Sequence, residues 1–289
     1  MVYRLISVFS LLVFFLHIKC EQKNFGSEPF KIKKNLSDIN PSIENDTLIS
    51  IKNGDKKIDV KIIFPSTEFK GSIIVLPGWN HPYSYWIDST SLSETASHNG
   101  YLLILPNMKK SIYSAKIYPE TRKDWQEEAT RAWVNNYIIT FFQKEFNLLL
   151  PSQKNYVLGL STGGRGALFL ALENSSVFIA GASLSGDFNP SNFPNDILYN
   201  GFFGSYLNNK IRWEKDENPL EDINQLEVPF YIGHGLKDRV VSVKHSILFY
   251  ESLDKIKQKS ILHIDSLARH NFHYWSSEVD NVIDFFNSQ

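Results

Sequence analysis

The sequence predicts an α/β fold in which helices cover both faces of a mostly parallel central sheet. Short apolar runs, each of a length suited to a buried strand, recur along the 289 residues together with segments of helical spacing. One of these runs enters a glycine-rich turn that leads directly into a helical pattern, within residues 155–171. A hydrophobic content of 43% is enough for one folded domain with a sizeable core.

The first 20 residues are typical of a signal peptide. Arg4 gives a basic start, and Leu5 to Ile18 is an apolar stretch too short to cross a membrane. The position of Cys20, the single cysteine, resembles that of the lipidated cysteine of bacterial lipoproteins, although His17 and Lys19 depart from the usual residues before it. We expect export to a bacterial cell envelope or periplasm, with either membrane anchoring by a lipid on Cys20 or ordinary signal cleavage and secretion. Polar residues 21–45 are expected to form a linker, and residues 46–289 the folded domain.

The domain is expected to begin with an antiparallel edge. Residues 47–51 and 58–64 alternate between polar and apolar, and Asn53-Gly54-Asp55 between them is a hairpin signal. The next apolar runs, 71–77 and 101–106, predict a third and a fourth strand. Residues 122–146 have helical spacing, and we expect their aromatic stripe to pack in the core; its members are Trp125, Ala129, Trp133, Tyr137 and Phe141.

The most informative segment is Gly159-Leu-Ser161-Thr-Gly163, which follows a predicted strand and opens a predicted helix. A Gly-x-Ser-x-Gly motif in this context predicts a nucleophile elbow, a sharp turn that exposes the serine hydroxyl. Only glycine fits two positions either side of the serine, where strand and helix press together. Gly164 and Gly166 are expected to keep the helix start close to the sheet.

A serine nucleophile needs a base, and the base needs an acid that orients it. Asp238 follows the predicted strand 228–235, and His270 follows the predicted strand 260–265. Because the carboxyl ends of parallel strands meet at one sheet edge, we expect Ser161, Asp238 and His270 to lie together there. Asp187, which follows the strand 178–184, is the alternative acid.

Other candidates for the triad remain open. Asp265 is a third option for the acid, and His273 is the alternative base. His234 is expected to be a packed core residue, and neither His81 nor His245 has a catalytic context in the sequence.

The oxyanion formed by such a serine needs two backbone N–H donors. Thr162, the residue after the nucleophile, is expected to supply one of them. The loop after the third strand is expected to supply the other, from Trp79 or alternatively from Asn80.

Residues 187–227 form a long polar and aromatic stretch that three prolines interrupt. We expect an insertion over the active site here, with Phe202, Phe203 and Tyr206 as walls of a pocket. The alternative is a surface excursion that touches no substrate.

These motifs together resemble the α/β-hydrolase superfamily, in particular esterase D-like and feruloyl-esterase-like serine esterases. The resemblance implies hydrolysis of carboxylic esters through an acyl-enzyme, with the triad on Ser161, Asp238 and His270. A peptidase or thioesterase of the same fold, or a non-catalytic envelope binding module, is the alternative. The residues that carry the resemblance are 76–79, 159–164, 183–187, 213–219, 234–238 and 270–275.

Charge and motif content exclude several function classes. The net charge of −1 gives no broad attraction to nucleic acid. The sequence has no phosphate-binding loop, no dinucleotide fingerprint and no zinc-type cysteine and histidine spacing. We therefore expect no cofactor and no metal, and a small-molecule ester or acylated substrate as the partner. The sequence does not define the oligomeric state.

Overall fold

The computed structural model describes residues 46–125 and 130–289. The expected signal segment, Cys20, the linker 21–45 and Ala129 of the aromatic stripe lie outside these residues. Eight strands of the described chain form one sheet in the order β1-β2-β4-β3-β5-β6-β7-β8. Their bounds are β1 Asp46–Asn53, β2 Lys56–Ile63, β3 Gly71–Leu76, β4 Tyr101–Pro106, β5 Asn155–Leu160, β6 Ala180–Leu184, β7 Phe230–Gly235 and β8 Ser260–Asp265.

The sheet is parallel except at one edge, as expected. β1 pairs antiparallel with β2, and β2 pairs antiparallel with β4, while the remaining neighbours are parallel. Gly54 makes the turn between β1 and β2 with a φ of 58°, a conformation that glycine adopts without steric cost. The α/β fold with an antiparallel edge, predicted from the sequence, is confirmed.

Helices cover both faces of the sheet, because alternate strand residues bury on opposite sides. On β3, Ile74 and Leu76 belong to one apolar cluster, whereas Ile73 and Val75 belong to the other. Helices α3, α4, α5 and α7 contribute to the first cluster, and α1, α2, α8 and α9 contribute to the second. The helix bounds are α1 Ser84–Ser89, α2 Leu92–His98, α3 Thr130–Trp133, α4 Thr140–Phe146, α5 Thr162–Glu173, α6 Ile197–Phe203, α7 Lys244–Lys255, α8 Phe272–Ser277 and α9 Val279–Asn287.

The helix expected over residues 122–146 is not uniform. A 3₁₀ turn spans Lys123–Trp125, and a π-helical segment, Val134–Ile139, separates α3 from α4. Trp133 packs in the core as predicted, with Tyr137 and Phe141 partly buried against it. Trp125 is buried as well, in a separate aromatic cluster where its ring packs against Trp79 and Phe202.

Residues 187–227 carry α6, a π-helical turn at Arg212–Asp216 and two 3₁₀ turns. Their anchor is Glu217, which is fully buried beside Arg131 and Arg165. The Glu217 carboxylate lies 3.6 Å from Arg131 Nη2 and 3.7 Å from Arg165 Nη2, and it accepts a hydrogen bond from the Tyr118 hydroxyl at 2.9 Å. Arg165 lies one turn into α5, so the ion pair ties this segment to the helix that follows Ser161.

No helix within residues 46–125 and 130–289 is long and apolar enough to cross a bilayer.

Candidate active site

Ser161 lies on a strained turn between β5 and α5. Its φ of 52° and ψ of −126° are unusual for a residue with a side chain. A Cβ on Gly159 would overlap the carbonyl of Gly163, and a Cβ on Gly163 would overlap the end of β3 at Leu76. The motif therefore has glycine where strand and helix meet without space for a side chain.

The two later glycines of the motif have different roles. A Cβ on Gly164 would overlap Ser183 of β6, so this glycine does hold the helix start against the sheet. A Cβ on Gly166 would instead meet the ring of Tyr113, which lies in the loop after β4. The expectation that both glycines keep the helix start close to the sheet thus agrees with the contacts of Gly164, whereas Gly166 leaves space for Tyr113.

The structure brings Ser161, His270 and Asp238 into one hydrogen-bonded line. His270 Nε2 lies 3.0 Å from Ser161 Oγ, and His270 Nδ1 lies 2.6 Å from Asp238 Oδ2. Ser161 is 7% exposed, and the side chains of His270 and Asp238 are 10% and 0% exposed. These distances permit a proton to move from the serine hydroxyl to an imidazole that a carboxylate orients.

The loops after β7 and β8 are bonded to each other, which sets the distance between acid and base. The N–H of Leu236 donates to the carbonyl of Asp265, and the N–H of Lys237 donates to the carbonyl of Ala268. The α8 helix begins at Phe272, and the side chain of its N-cap residue Asn271, next to His270, accepts a hydrogen bond from the N–H of Tyr274.

Asp238 is surrounded by donors. Its Oδ1 accepts hydrogen bonds from the N–H groups of Val240 at 2.8 Å and Val241 at 2.9 Å. Burial alone would raise the pKa of Asp238. The hydrogen bonds from His234, His270 and Val241 outweigh burial and hold the pKa well below its usual range. The carboxylate is therefore ionised at neutral pH.

His234 is a residue whose contact with the site was missed in the sequence analysis. It is fully buried, as expected, but its Nε2 lies 3.1 Å from the carbonyl oxygen of Val241 and 3.4 Å from Asp238 Oδ2. A carbonyl only accepts, so Nε2 carries the proton, and Nδ1 accepts from the Ser246 hydroxyl at 2.7 Å. The sequence places His234 on a strand before Gly235, but no pattern in it indicates that the His234 ring reaches the loop that carries Asp238.

The backbone donors expected for the oxyanion are both near Ser161. Thr162 is the first residue of α5, and Trp79 lines the same cavity as Ser161. The N–H of Asn80 is already bonded to the carbonyl of Lys109 at 2.9 Å, which argues against Asn80 as the second donor. The geometry thus favours Trp79 over Asn80.

The other sequence candidates are not joined to the serine and histidine. Asp187 is buried in the cavity wall but makes no hydrogen bond to His270 within the described ranges. His273 is exposed on α8, and Asp265 accepts hydrogen bonds from the N–H groups of Leu267 and Ala268.

A cavity of about 620 Å³ opens onto Ser161 and His270. Residues 193 and 195–198 form one wall and residues 238–242 another. The expected wall residues Phe202, Phe203 and Tyr206 are elsewhere: they pack with Trp213 in the aromatic cluster outside the lining. These side chains are large and apolar, so packing in the cluster stabilises them more than lining the cavity would. Aromatic rings bury more area against one another than against an open cavity.

His81 and His245 also line this cavity, although no sequence signal marked either of them. His81 lies in the loop after β3, and burial lowers its pKa. His245 lies on α7 with its ring stacked on Phe193, the centroids 3.8 Å apart. In the part of the chain that the structure describes, no group of three His, Cys, Asp or Glu side chains is arranged to hold a metal ion.

Comparison with known proteins gives a family, an esterase relative and solved structures of the same fold. Residues 93–289 match the family described as prolyl oligopeptidase. An acetyl esterase from Caldicellulosiruptor saccharolyticus is 22% identical over 282 residues, which cover 92% of this chain and 97% of the esterase.

Two solved structures share the fold. An S-formylglutathione hydrolase from Agrobacterium tumefaciens superposes with a TM-score of 0.69 at 15% identity, over 83% of this chain and 94% of the hydrolase. A fluorophosphonate-binding serine hydrolase from Staphylococcus aureus superposes with a TM-score of 0.66 at 17% identity, over 84% and 98% of the respective chains.

Proposed function

Since the chain belongs to the prolyl oligopeptidase family and is a serine hydrolase of the α/β-hydrolase fold, we propose that it cleaves carboxylic esters through a Ser161–His270–Asp238 triad and an acyl-enzyme. The observation that carries this proposal is the continuous line of contacts, 3.0 Å from Ser161 Oγ to His270 Nε2 and 2.6 Å from His270 Nδ1 to Asp238 Oδ2.

The first half of the reaction forms the acyl-enzyme. His270 Nε2 takes the proton of Ser161 as Oγ attacks the ester carbonyl carbon, which becomes tetrahedral. The ionised Asp238 stabilises the imidazolium and keeps Nδ1 protonated. The C–O bond to the alcohol then breaks, and His270 Nε2–H protonates the leaving alkoxide.

The second half releases the acid. His270 Nε2 takes a proton from water, whose oxygen attacks the acyl carbon. The second tetrahedral intermediate collapses with Ser161 as the leaving group, and the proton returns to Oγ. In both halves the N–H groups of Thr162 and Trp79 are the proposed donors to the oxyanion. Loss of one such donor typically lowers turnover by about 10²–10³.

Short acyl esters are the substrates that the comparisons favour. The relative that matches over 97% of its own length is an acetyl esterase. The cavity of about 620 Å³ also has room for a small ester.

The test is hydrolysis of p-nitrophenyl esters from acetate to laurate by the wild-type protein and by Ser161→Ala. We expect serine-dependent turnover, highest for the short acyl chains, and stoichiometric labelling of the wild type alone by a fluorophosphonate. Full turnover by a folded Ser161→Ala protein would refute the proposal. Faster cleavage of N-acyl aminoacyl p-nitroanilides than of any ester would assign a peptidase instead.

We also propose that the chain is exported by residues 1–20, with Cys20 as the site of lipid attachment or as a residue near an ordinary cleavage site. The apolar stretch before Cys20 supports this. Labelled palmitate in a bacterial host should mark the wild type and not Cys20→Ser if the protein is a lipoprotein. Secretion of an unlabelled, shortened protein would indicate ordinary cleavage, and retention of a full-length cytoplasmic protein would refute export.

A further inference from the structure

One wall of the cavity carries two polar side chains that the proposed reaction does not use. Asp187 follows β6, and His245 is the second residue of α7. Both line the cavity with Ser161, and both are more than nine-tenths buried, at 6% and 4% exposure. Burial of two polar groups beside a reactive serine calls for a physical explanation.

The hydrogen bonds of His245 fix which ring nitrogen carries the proton. Nδ1 accepts from the N–H of Phe188 at 3.1 Å and from the N–H of Asn189 at 3.2 Å. Nδ1 is therefore unprotonated, and the single proton of the neutral ring lies on Nε2. Burial is the main cause that lowers the pKa of His245 to about 3, so the ring is neutral at physiological pH.

The Nε2–H of His245 is an unused donor. It has no hydrogen-bond partner among the described residues, whereas the other side of the ring is bonded to the backbone. Stacking on Phe193 at an interplanar angle of 20° further restricts rotation of the ring. The donor is thus held in one orientation in the cavity wall before any substrate binds.

Asp187 supplies an acceptor in the lining of the same cavity. The bond from the N–H of Phe188, the residue after Asp187, ties the His245 ring to the main chain directly after Asp187. Asp187 Oδ1 is buried without a hydrogen-bond partner, while its main-chain carbonyl accepts from the Tyr199 hydroxyl at 2.9 Å. The neighbouring Asp196 is already used, since its carboxylate caps α6 through the N–H of Tyr199.

A donor and an acceptor in the lining of one cavity match a hydroxyl group, which both donates and accepts. An apolar group in the same place would leave both buried partners unsatisfied, and sites of this kind discriminate strongly against analogues that lack the hydroxyl. We propose that His245 and Asp187 form a hydroxyl-binding subsite, so that the preferred substrates are esters with a hydroxyl group near the ester bond. This inference rests on the proposed esterase function.

Two matched pairs of esters test the subsite and show on which side of the ester bond the hydroxyl lies. Glyceryl monoacetate and propyl acetate differ in hydroxyls of the alcohol, and methyl lactate and methyl propionate differ in a hydroxyl of the acyl group. We expect the wild type to have at least a tenfold higher kcat/KM for the hydroxylated member of one pair. That pair assigns the alcohol or the acyl side.

Variants of His245 separate the donor from the packing of the ring. His245→Asn keeps an acceptor where Nδ1 lies but has no donor at the Nε2 position, whereas His245→Gln places an amide N–H there. We expect the preference to fall below threefold in His245→Asn and to recover in part in His245→Gln. Asp187→Leu, similar in size, should lose the preference too. His98→Asn, on the exposed surface of α2, is the control and should retain it.

Damage to the fold would lower turnover of both members of a pair and leave their ratio unchanged, so the ratio is the readout. The subsite is refuted if the wild type has no preference in either pair, or if His245→Asn keeps the full preference. Failure of the esterase proposal would look different: no turnover of any of the four esters and no fluorophosphonate label.

Discussion

Replacing Asp238 with asparagine tests the proposed acid with a change of one atom. Asp238 Oδ1 accepts from the N–H groups of Val240 and Val241, so the amide oxygen of asparagine must occupy that position. The amide NH₂ then lies where Oδ2 was, facing His270 Nδ1 at 2.6 Å. Two donors cannot face each other, so Nδ1 must become an acceptor.

The consequence for catalysis follows from the tautomer. With Nδ1 as acceptor, the ring proton lies on Nε2, 3.0 Å from Ser161 Oγ, and Nε2 can no longer take the serine proton. We expect kcat/KM for p-nitrophenyl acetate to fall by about 10⁴, which corresponds to about 5 kcal/mol of transition-state stabilisation. The assay is steady-state hydrolysis at pH 7–9, with circular dichroism to show that the variant is folded.

Asp187→Asn and Asp284→Asn serve as comparisons. Asp284 is exposed on α9, so its substitution should leave turnover as in the wild type. Asp187→Asn should lower p-nitrophenyl acetate turnover by less than tenfold. The reasoning fails if Asp238→Asn keeps more than a tenth of the wild-type activity. A deeper loss in Asp187→Asn than in Asp238→Asn would identify Asp187 as the acid.

Three further predictions follow from buried contacts. His234→Phe keeps an aromatic ring but removes the N–H that lies near Asp238. We expect kcat to be about tenfold lower, with little change in KM. Gly159→Ala should destabilise the fold by more than about 3 kcal/mol in urea unfolding, because the methyl group overlaps the Gly163 carbonyl. Burial raises the pKa of Asp187 to about 6. The contribution of Asp187 to the free energy of unfolding is therefore present below pH 4, and about 3 kcal/mol should be lost as the pH rises through 6. Asp187→Asn should abolish this part of the pH dependence.

The histidine and glycine predictions have matched controls. His263→Phe, a change at a half-exposed ring outside the cavity, should not lower kcat, and an equal fall in both histidine variants would contradict a role in positioning the acid. Gly54→Ala has space around the added methyl and should cost less than Gly159→Ala, apart from the strain of a positive φ. If the free energy of unfolding varied with pH in the same way for the wild type and Asp187→Asn between pH 4 and 7, burial would not raise the pKa of Asp187.

The strand order along the chain and the nucleophile turn could be predicted because they depend on local patterns. The apolar runs of β3, β4 and β5 are continuous, since both faces of a parallel sheet are buried. The Ser161 turn is marked by the glycines that its geometry requires. The candidates Asp238 and His270 could be found because each directly follows a strand, and parallel strands bring such loops together.

Contacts between distant segments that do not follow from the meeting of strand ends could not be predicted. His245 is 58 positions after Asp187, and no periodicity shows that its ring bonds the backbone of Phe188 and Asn189. Phe202 and Phe203 were expected at the cavity because they lie in the insertion, but they are buried in a cluster that includes Trp125, which is remote in sequence. Likewise, the π-helical segment 134–139 interrupts a stretch whose residues have ordinary helical spacing.

The buried pair of Arg165 and Glu217 restricts how this enzyme can be redesigned. Arg165 lies four residues after the nucleophile, and Glu217 lies in the segment 187–227, which supplies one wall of the cavity. Removal of one partner from such a pair leaves an uncompensated charge and costs about 3–5 kcal/mol. A chimera that imports residues 187–227 from a relative must therefore bring a carboxylate for Arg165, or change both ends together. By contrast, positions 195–198 lie outside the ion pair and can vary without unpairing it, which makes them the place to alter substrate preference first.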